Sequence, residues 1–174
     1  TLSNSHHLGR IGHWAEMAVA QGLVSIHFVN VISFARVAAY GGADGRFGTN
    51  PVCIGVPRAG KPAFLLDFAT SRVATGKVRV AHNKGEQMPP GVLIDARGEP
   101  TTDPKNLFVP PIGALLPFGE HKGYGLAIAC ELLAGALTGG STWRGPGGEL
   151  KQVVNNMLSI IIDPAKMGGN ERLA

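Results

Sequence analysis

The chain has 174 residues, 44% of them hydrophobic and 16% charged, with 25 glycines, 12 prolines and a net charge of +4. This is enough for one core of ordinary size, and apolar runs between the glycines, with no Gly-X-Y period, exclude collagen and disorder. Lysines and arginines are scattered, with no run of three, and aromatics are only 6%, which excludes a nucleic-acid groove built of clustered cations and stacking rings.

The opening Thr1–Gly9 (TLSNSHHLG) reads as a polar loop without an initiator Met, and the chain stops at NERLA soon after a strand-like run. Both ends look cut, as in a fragment of a longer polypeptide. From Gly9 to Gln21 the apolar residues Ile11, Trp14, Ala15, Ala18 and Val19 recur at helical spacing, which predicts an amphipathic helix. Asn4 and Ser5 are its candidate caps and Gly22 its terminator. Leu23–Val31 reads as a strand, as do Val52–Val56 and Ala63–Asp67, which flank the turn-forming PRAGKP. Thr70–His82 has helical spacing. Gly85–Gly113 is rich in Gly and Pro and holds one short apolar piece, VLID; so long an irregular stretch is usually functional or packs on a partner. Lys122–Leu137 is apolar nearly all round and predicts a helix buried between layers, and Val154–Ile162 predicts a closing strand. The most apolar part, Tyr124–Leu137, carries Glu131 and falls short of the roughly 20 residues of a membrane span. Cys53 and Cys130 lie far apart in sequence with no CxxC spacing. With no signal peptide in view, they read as reduced thiols of a cytoplasmic protein. The alternation of strands and helices predicts an α/β or α+β fold.

Four segments concentrate polar residues at element ends, where sites form in layered folds. In Ser5–Arg10, His6 and His7 are adjacent, and in extended chain they point to opposite sides, so at most one faces a given cleft. An imidazole there can move a proton to or from a hydroxyl or carbonyl, or the two can be ordinary loop histidines. In Gly41–Pro51, four glycines and Arg46 allow close approach of an anion, but the segment is neither a Rossmann fingerprint nor a Walker loop. A structural loop with a left-handed turn is the simpler reading. In Leu65–Ser71, a strand delivers Asp67 to its end, to orient an imidazole, to accept from a ribose or amide, or to cap the following helix, for which Thr70 or Ser71 would also serve. In Glu120–Gly125, free backbone N–H groups, the positive helix end and the Lys122 ammonium together suit an anion.

In this order, SNSHHLGRIG, GRFGTNP, LLDFATSRVATGK, PTTDP and EHKGYGLAIACELLAGALTGG resemble the malate/L-lactate dehydrogenase family of the second type, from about His6 to Pro164. The HHLGRIG and EHKGYGL wording is most like its hydroxycarboxylate dehydrogenase B branch. The resemblance implies a non-Rossmann NAD(P)-binding fold with a largely antiparallel mixed sheet flanked by helices. It implies NAD or NADP as cofactor, and hydride transfer between nicotinamide and a 2-hydroxy or 2-keto acid. Residues 1–174 would form most of the cofactor-binding domain of a longer homodimeric dehydrogenase, with no nucleic-acid or membrane partner. Residue by residue, His7 matches a histidine serving as acid/base in some members. Gly9, Arg10 and Ile11 match cofactor-contacting backbone, as do Leu65, Leu66, Asp67, Phe68 and Ala69. His121 and Lys122 match a cofactor contact at the helix start, and Asn155 a later polar contact. No metal site is expected: HExxH is absent, as is the G-x-S-x-G elbow of a hydrolase. Other members carry an upstream Ser-His-Gly histidine as proton donor, which Thr1 onward does not include. The alternative is therefore a catalytically incomplete nucleotide-binding or assembly subunit of the same fold.

Overall fold

The computed structural model describes residues 1–143, 152–168 and 173, so that most of the NERLA end lies outside the described residues. In chain order the elements are β1 (Leu2–Ser5), α1 (Gly12–Val19), β2 (Val24–Ile32), β3 (Val37–Ala38), β4 (Gly45–Phe47), β5 (Val52–Val56) and β6 (Phe64–Phe68). They continue with α2 (Thr75–Lys84), β7 (Leu93–Ile94), β8 (Pro100–Thr101), β9 (Ala114–Leu115), α3 (His121–Cys130) and β10 (Val154–Ile162). Two five-stranded sheets result. The larger runs β1-β10-β2-β5-β6 with every neighbour antiparallel; the smaller runs β4-β3-β9-β7-β8, with only β3–β9 parallel. The expected mixed, largely antiparallel α+β architecture is what forms.

The larger sheet packs against α1. Ile11 and Ala15 meet Val29, Cys53 and Met157 in one apolar cluster. The contact is close because residue 55 lacks a side chain: a Cβ on Gly55 would stand 3.0 Å from Ala15 Cβ and Val19 Cγ1. A second cluster joins α2 to the smaller sheet through Val78, Ala81, Leu93, Leu107 and Leu115.

Several boundaries differ from the sequence reading. The polar opening is not a loop: Leu2–Ser5 pairs with β10, Leu2 opposite Met157 and Ser5 opposite Asn155. Asn4 and Ser5 therefore belong to a strand and cap nothing, and α1 starts only at Gly12. The second helix starts at Thr75, not Thr70. Thr70 is tied across to the Thr49 carbonyl and Ser71 bridges to Pro117, while Ala74 takes the N-cap place without a side-chain bond. Gly85–Gly113 is built rather than irregular: Asp95 Oδ1 accepts from the N–H groups of Arg97 and Glu99 and turns the chain between β7 and β8. The Lys122–Leu137 segment is helical, but not buried all round. Leu132 and Leu137 are exposed, and after Cys130 the helix widens into a π-helical turn, Glu131–Ala136.

Candidate active site

The loop from β1 to α1 carries His7 across the end of the larger sheet. Asn155, on β10, accepts the Leu8 N–H through Oδ1 at 3.0 Å and so ties this loop to the sheet. Next to it, Asn156 Oδ1 accepts the Asn4 N–H at 2.7 Å. The Gly9 N–H donates to His7 Nδ1 at 2.9 Å. With Nδ1 accepting, the neutral ring carries its proton on Nε2.

Around His7 opens a cavity of about 270 Å³. One wall is Gly9, Arg10 and Ile11; the opposite wall is Asp67, Phe68 and Ala69 at the end of β6; Asn155, Thr49 and Pro51 complete it. The Asp67 carboxylate bridges the two walls, its Oδ2 accepting the Gly12 N–H at 2.7 Å. Asp67 thus caps a helix, but α1 rather than the one that follows it. Capping was one of the roles open to Asp67 from sequence, but for the following helix; a pairing across 55 residues is not visible in local spacing. Gly12 must be small for this: a Cβ there would come within 2.8 Å of Asp67 Oδ2. Arg10 pairs with Glu16 at 2.6 Å, which raises the guanidinium pKa and lowers that of the carboxyl through a mutual hydrogen bond and charge.

A second cavity, about 400 Å³, adjoins the first and shares His7, Val31 and Thr49 with it. Together the two match the size range of small-molecule sites, roughly 300–1,000 Å³. The backbone at Gly9, in a left-handed turn with φ +74° and open space where a Cβ would point, leaves room for a flat ring beside His7.

Not every matched residue gathers here. Leu65 and Leu66 lie on the exposed edge strand β6, outside both cavities. His121 and Lys122 are exposed at the start of α3, where His121 packs edge-on against Tyr40, and neither lines the His7 cavities. Arg46 pairs with Asp44 at 2.7 Å, consistent with the structural reading of its loop. His6 lines neither cavity.

Sequence reasoning missed the polar network beneath the site. Glu131, buried in the π-helical turn, accepts from Asn50 Nδ2 at 2.8 Å and from Asn30 Nδ2 at 3.2 Å. Asn156 Nδ2 donates to Asn30 Oδ1 at 2.8 Å, and Asn50 Oδ1 accepts the Val31 N–H at 2.9 Å. Asn50 itself takes a φ of +32°, a conformation Asn tolerates better than most residues. The network therefore runs from β1 to the GTNP loop, both of which border His7. The available signal was a lone carboxylate in an apolar helix, together with asparagines in strand-like runs. The cysteines are inert by comparison: burial pushes the thiol pKa of Cys53 up to about 11 and that of Cys130 to about 12.

Among the described residues no helix is long and apolar enough to cross a membrane, and no group of three or more His, Cys, Asp or Glu could hold a metal. The chain belongs to the malate/L-lactate dehydrogenase family, whose model matches residues 1–174. It is 52% identical over 169 residues to hydroxycarboxylate dehydrogenase B of Escherichia coli K12, covering 96% of this chain and 47% of that protein. It is 47% identical over 167 residues to L-lactate dehydrogenase of Cupriavidus necator, covering 95% and 48%. The solved structure of delta1-piperideine-2-carboxylate reductase from Pseudomonas syringae superposes with a TM-score of 0.84 at 38% identity, covering 95% and 50%. The chain spans about half the length of the curated relatives it matches.

Proposed function

We propose that this chain forms the cofactor-binding part of an NAD(P)-dependent dehydrogenase acting on 2-hydroxy acids or the corresponding 2-keto acids. The observation that carries the reading is the convergence on one cleft. His7, the Gly9–Ile11 backbone, Asp67–Ala69 and Asn155 come from three separate segments and line one cavity. Bound there, nicotinamide would supply or accept a hydride at the substrate's C2. Gly9–Ile11 and Asp67–Ala69 would hold it, and Lys122 with His121 would meet a more distant part of the cofactor at the start of α3. Either NAD or NADP is compatible with these residues.

His7 would handle the proton. For reduction, the ring protonated at both nitrogens would give up its Nδ1 contact with the Gly9 N–H and pass its Nε2 proton to the substrate oxygen as hydride reaches C2, leaving the ring neutral and protonated at Nδ1. For oxidation, Nε2 of that neutral ring would take the hydroxyl proton as hydride leaves C2, restoring the doubly protonated ring. The two directions are then the reverse of each other.

The homodimer implied by the family has a surface to support it. On the face of the larger sheet away from α1, Leu66 and Ile160 lie in one cross-strand row with Ile54 and Ile26. Leu66 is 40% and Ile160 41% exposed; an apolar row open to water marks an interaction surface. Two free, buried cysteines suit the cytoplasm. The test is a full-length preparation offered malate, lactate and related acids with NAD or NADP. We expect a change in the NAD(P)H absorbance band with at least one pair. No change across the series, with cofactor binding retained, would instead support a nucleotide-binding subunit without turnover.

A further inference from the structure

We propose that Arg36 and Arg79 form a seat for a second anionic group on the substrate, remote from the reacting carbon, so that the site favours dianionic 2-hydroxy acids over monoanionic ones. This rests on the dehydrogenase reading and adds the substrate class to it.

Arg36 lies between β2 and β3, and Arg79 is on α2. Both face the cavity of about 400 Å³ that includes His7. Their guanidinium groups share one aromatic platform: Arg79 Cζ is 3.5 Å and Arg36 Cζ 5.8 Å from the centroid of Phe108. Arg36 also lies 4.9 Å over Phe34 and donates to the Leu107 carbonyl. Aromatic faces hold a guanidinium plane while leaving its in-plane N–H fork free for a carboxylate.

Neither cation has a carboxylate partner among the described residues, whereas Arg10, Arg46 and Arg97 each do. Two neighbouring positive groups without an anion repel each other. The Arg36 pKa is lowered first by burial and then by the charge of Arg79. The same wall holds Thr75 and Gly76, the first residues of α2, a helix with no side-chain cap and no acidic residue in its first turn. A second anion would answer all three features at once: the arginine pair, the desolvated guanidinium and the uncapped helix start.

The anion belongs to substrate rather than cofactor because, of the cofactor-matching residues, Gly9–Ile11, Asp67–Ala69 and Asn155 line the other cavity and none lines this one. Only His7, Val31 and Thr49 are common to the two. A substrate whose hydroxyl meets His7 can extend into the arginine side with its distal carboxylate or sulfonate.

The decisive experiment compares kcat/KM for malate and lactate in the full-length enzyme. The wild type is expected to favour malate at least tenfold, and Arg79→Gln to reduce that ratio tenfold or more, with Arg79→Lys intermediate. Arg36→Gln should do the same; because Arg36 also holds the Leu107 carbonyl, its fold is checked by circular dichroism. Lys61→Gln, at an exposed position far from the cavity in sequence, keeps the wild-type ratio. An unchanged ratio in Arg79→Gln overturns the proposal. So does a selective loss of NADPH over NADH affinity at constant ratio, which would assign the arginines to a cofactor phosphate. Should no 2-hydroxy acid be turned over, the dehydrogenase reading fails separately. Calorimetric titration with malonate against acetate then still reads the seat: preferential malonate binding lost in Arg79→Gln upholds it, and equal binding of the two overturns it.

Discussion

Glu131 carries more of the site's geometry than its place in an apolar helix suggests. Its two carboxylate oxygens each accept from a different asparagine, Asn50 and Asn30, and both amides continue the network to the backbone of Val31 and to Asn156. A buried carboxylate with no cation is costly unless each lone pair finds a donor; here amides and the Trp143 N–H supply them. Glu131→Gln keeps the shape but turns one acceptor into a donor facing an asparagine NH₂. The expected loss is about 1–3 kcal/mol of stability, the cost of leaving a buried polar group unsatisfied, read as a lower midpoint in urea unfolding. A variant as stable as the wild type would mean that the asparagines can reverse their amides at no cost. The network was not legible beforehand. Asn30, Asn50 and Asn156 are distant in sequence, and an amide's partners depend on how strands align.

Local periodicity revealed what depends on near neighbours. The apolar stripe of α1 follows from burial on one face of a helix, and the β-rich runs Val52–Val56 and Val154–Ile162 form strands with the residues expected. What failed were elements whose cause lies far along the chain. β1 carries the polar SNS and is a strand only because β10 pairs with it from about 150 positions away. The start of α2 is delayed because Thr70 and Ser71 are held by Thr49 and Pro117. The cap of α1 is the most instructive case, since Asp67 reaches Gly12 from β6. A carboxylate at a helix start satisfies a free N–H and meets the positive end of the dipole. Asp67→Ala is expected to cost about 0.5–2 kcal/mol, and to raise the cofactor Kd because both walls of the His7 cavity lose their tie. Asp67→Ser, which keeps an acceptor, should recover part of both. If stability falls while cofactor affinity stays normal, the bridge serves the fold alone.

The fold places His7 in a cleft and buries His27, and only the buried ring bears on how stability answers pH. His27, 2% exposed under α1, contacts Ser159 Oγ through Nδ1 at 2.8 Å and, among the described residues, has no partner at Nε2. Burial lowers its pKa by penalising the charged ring. Above the unfolded value of about 6.5 the ring is neutral in both states and contributes no pH dependence. As pH falls below that value, the unfolded chain gains a proton that the folded chain resists. Stability therefore declines until the lower folded pKa is passed. Thermal melts of His27→Leu should show a shallower acid decline than the wild type, and identical slopes would place the decline on other groups. His7, by contrast, is the residue to which the proposed function gives the reacting proton. In the full-length enzyme, His7→Asn is measured at saturating substrate alongside a cofactor titration. The expected result is turnover lower by about 10²–10⁴, the range for loss of a general acid–base group, with cofactor affinity nearly intact. Turnover at the wild-type rate with normal cofactor affinity would contradict it.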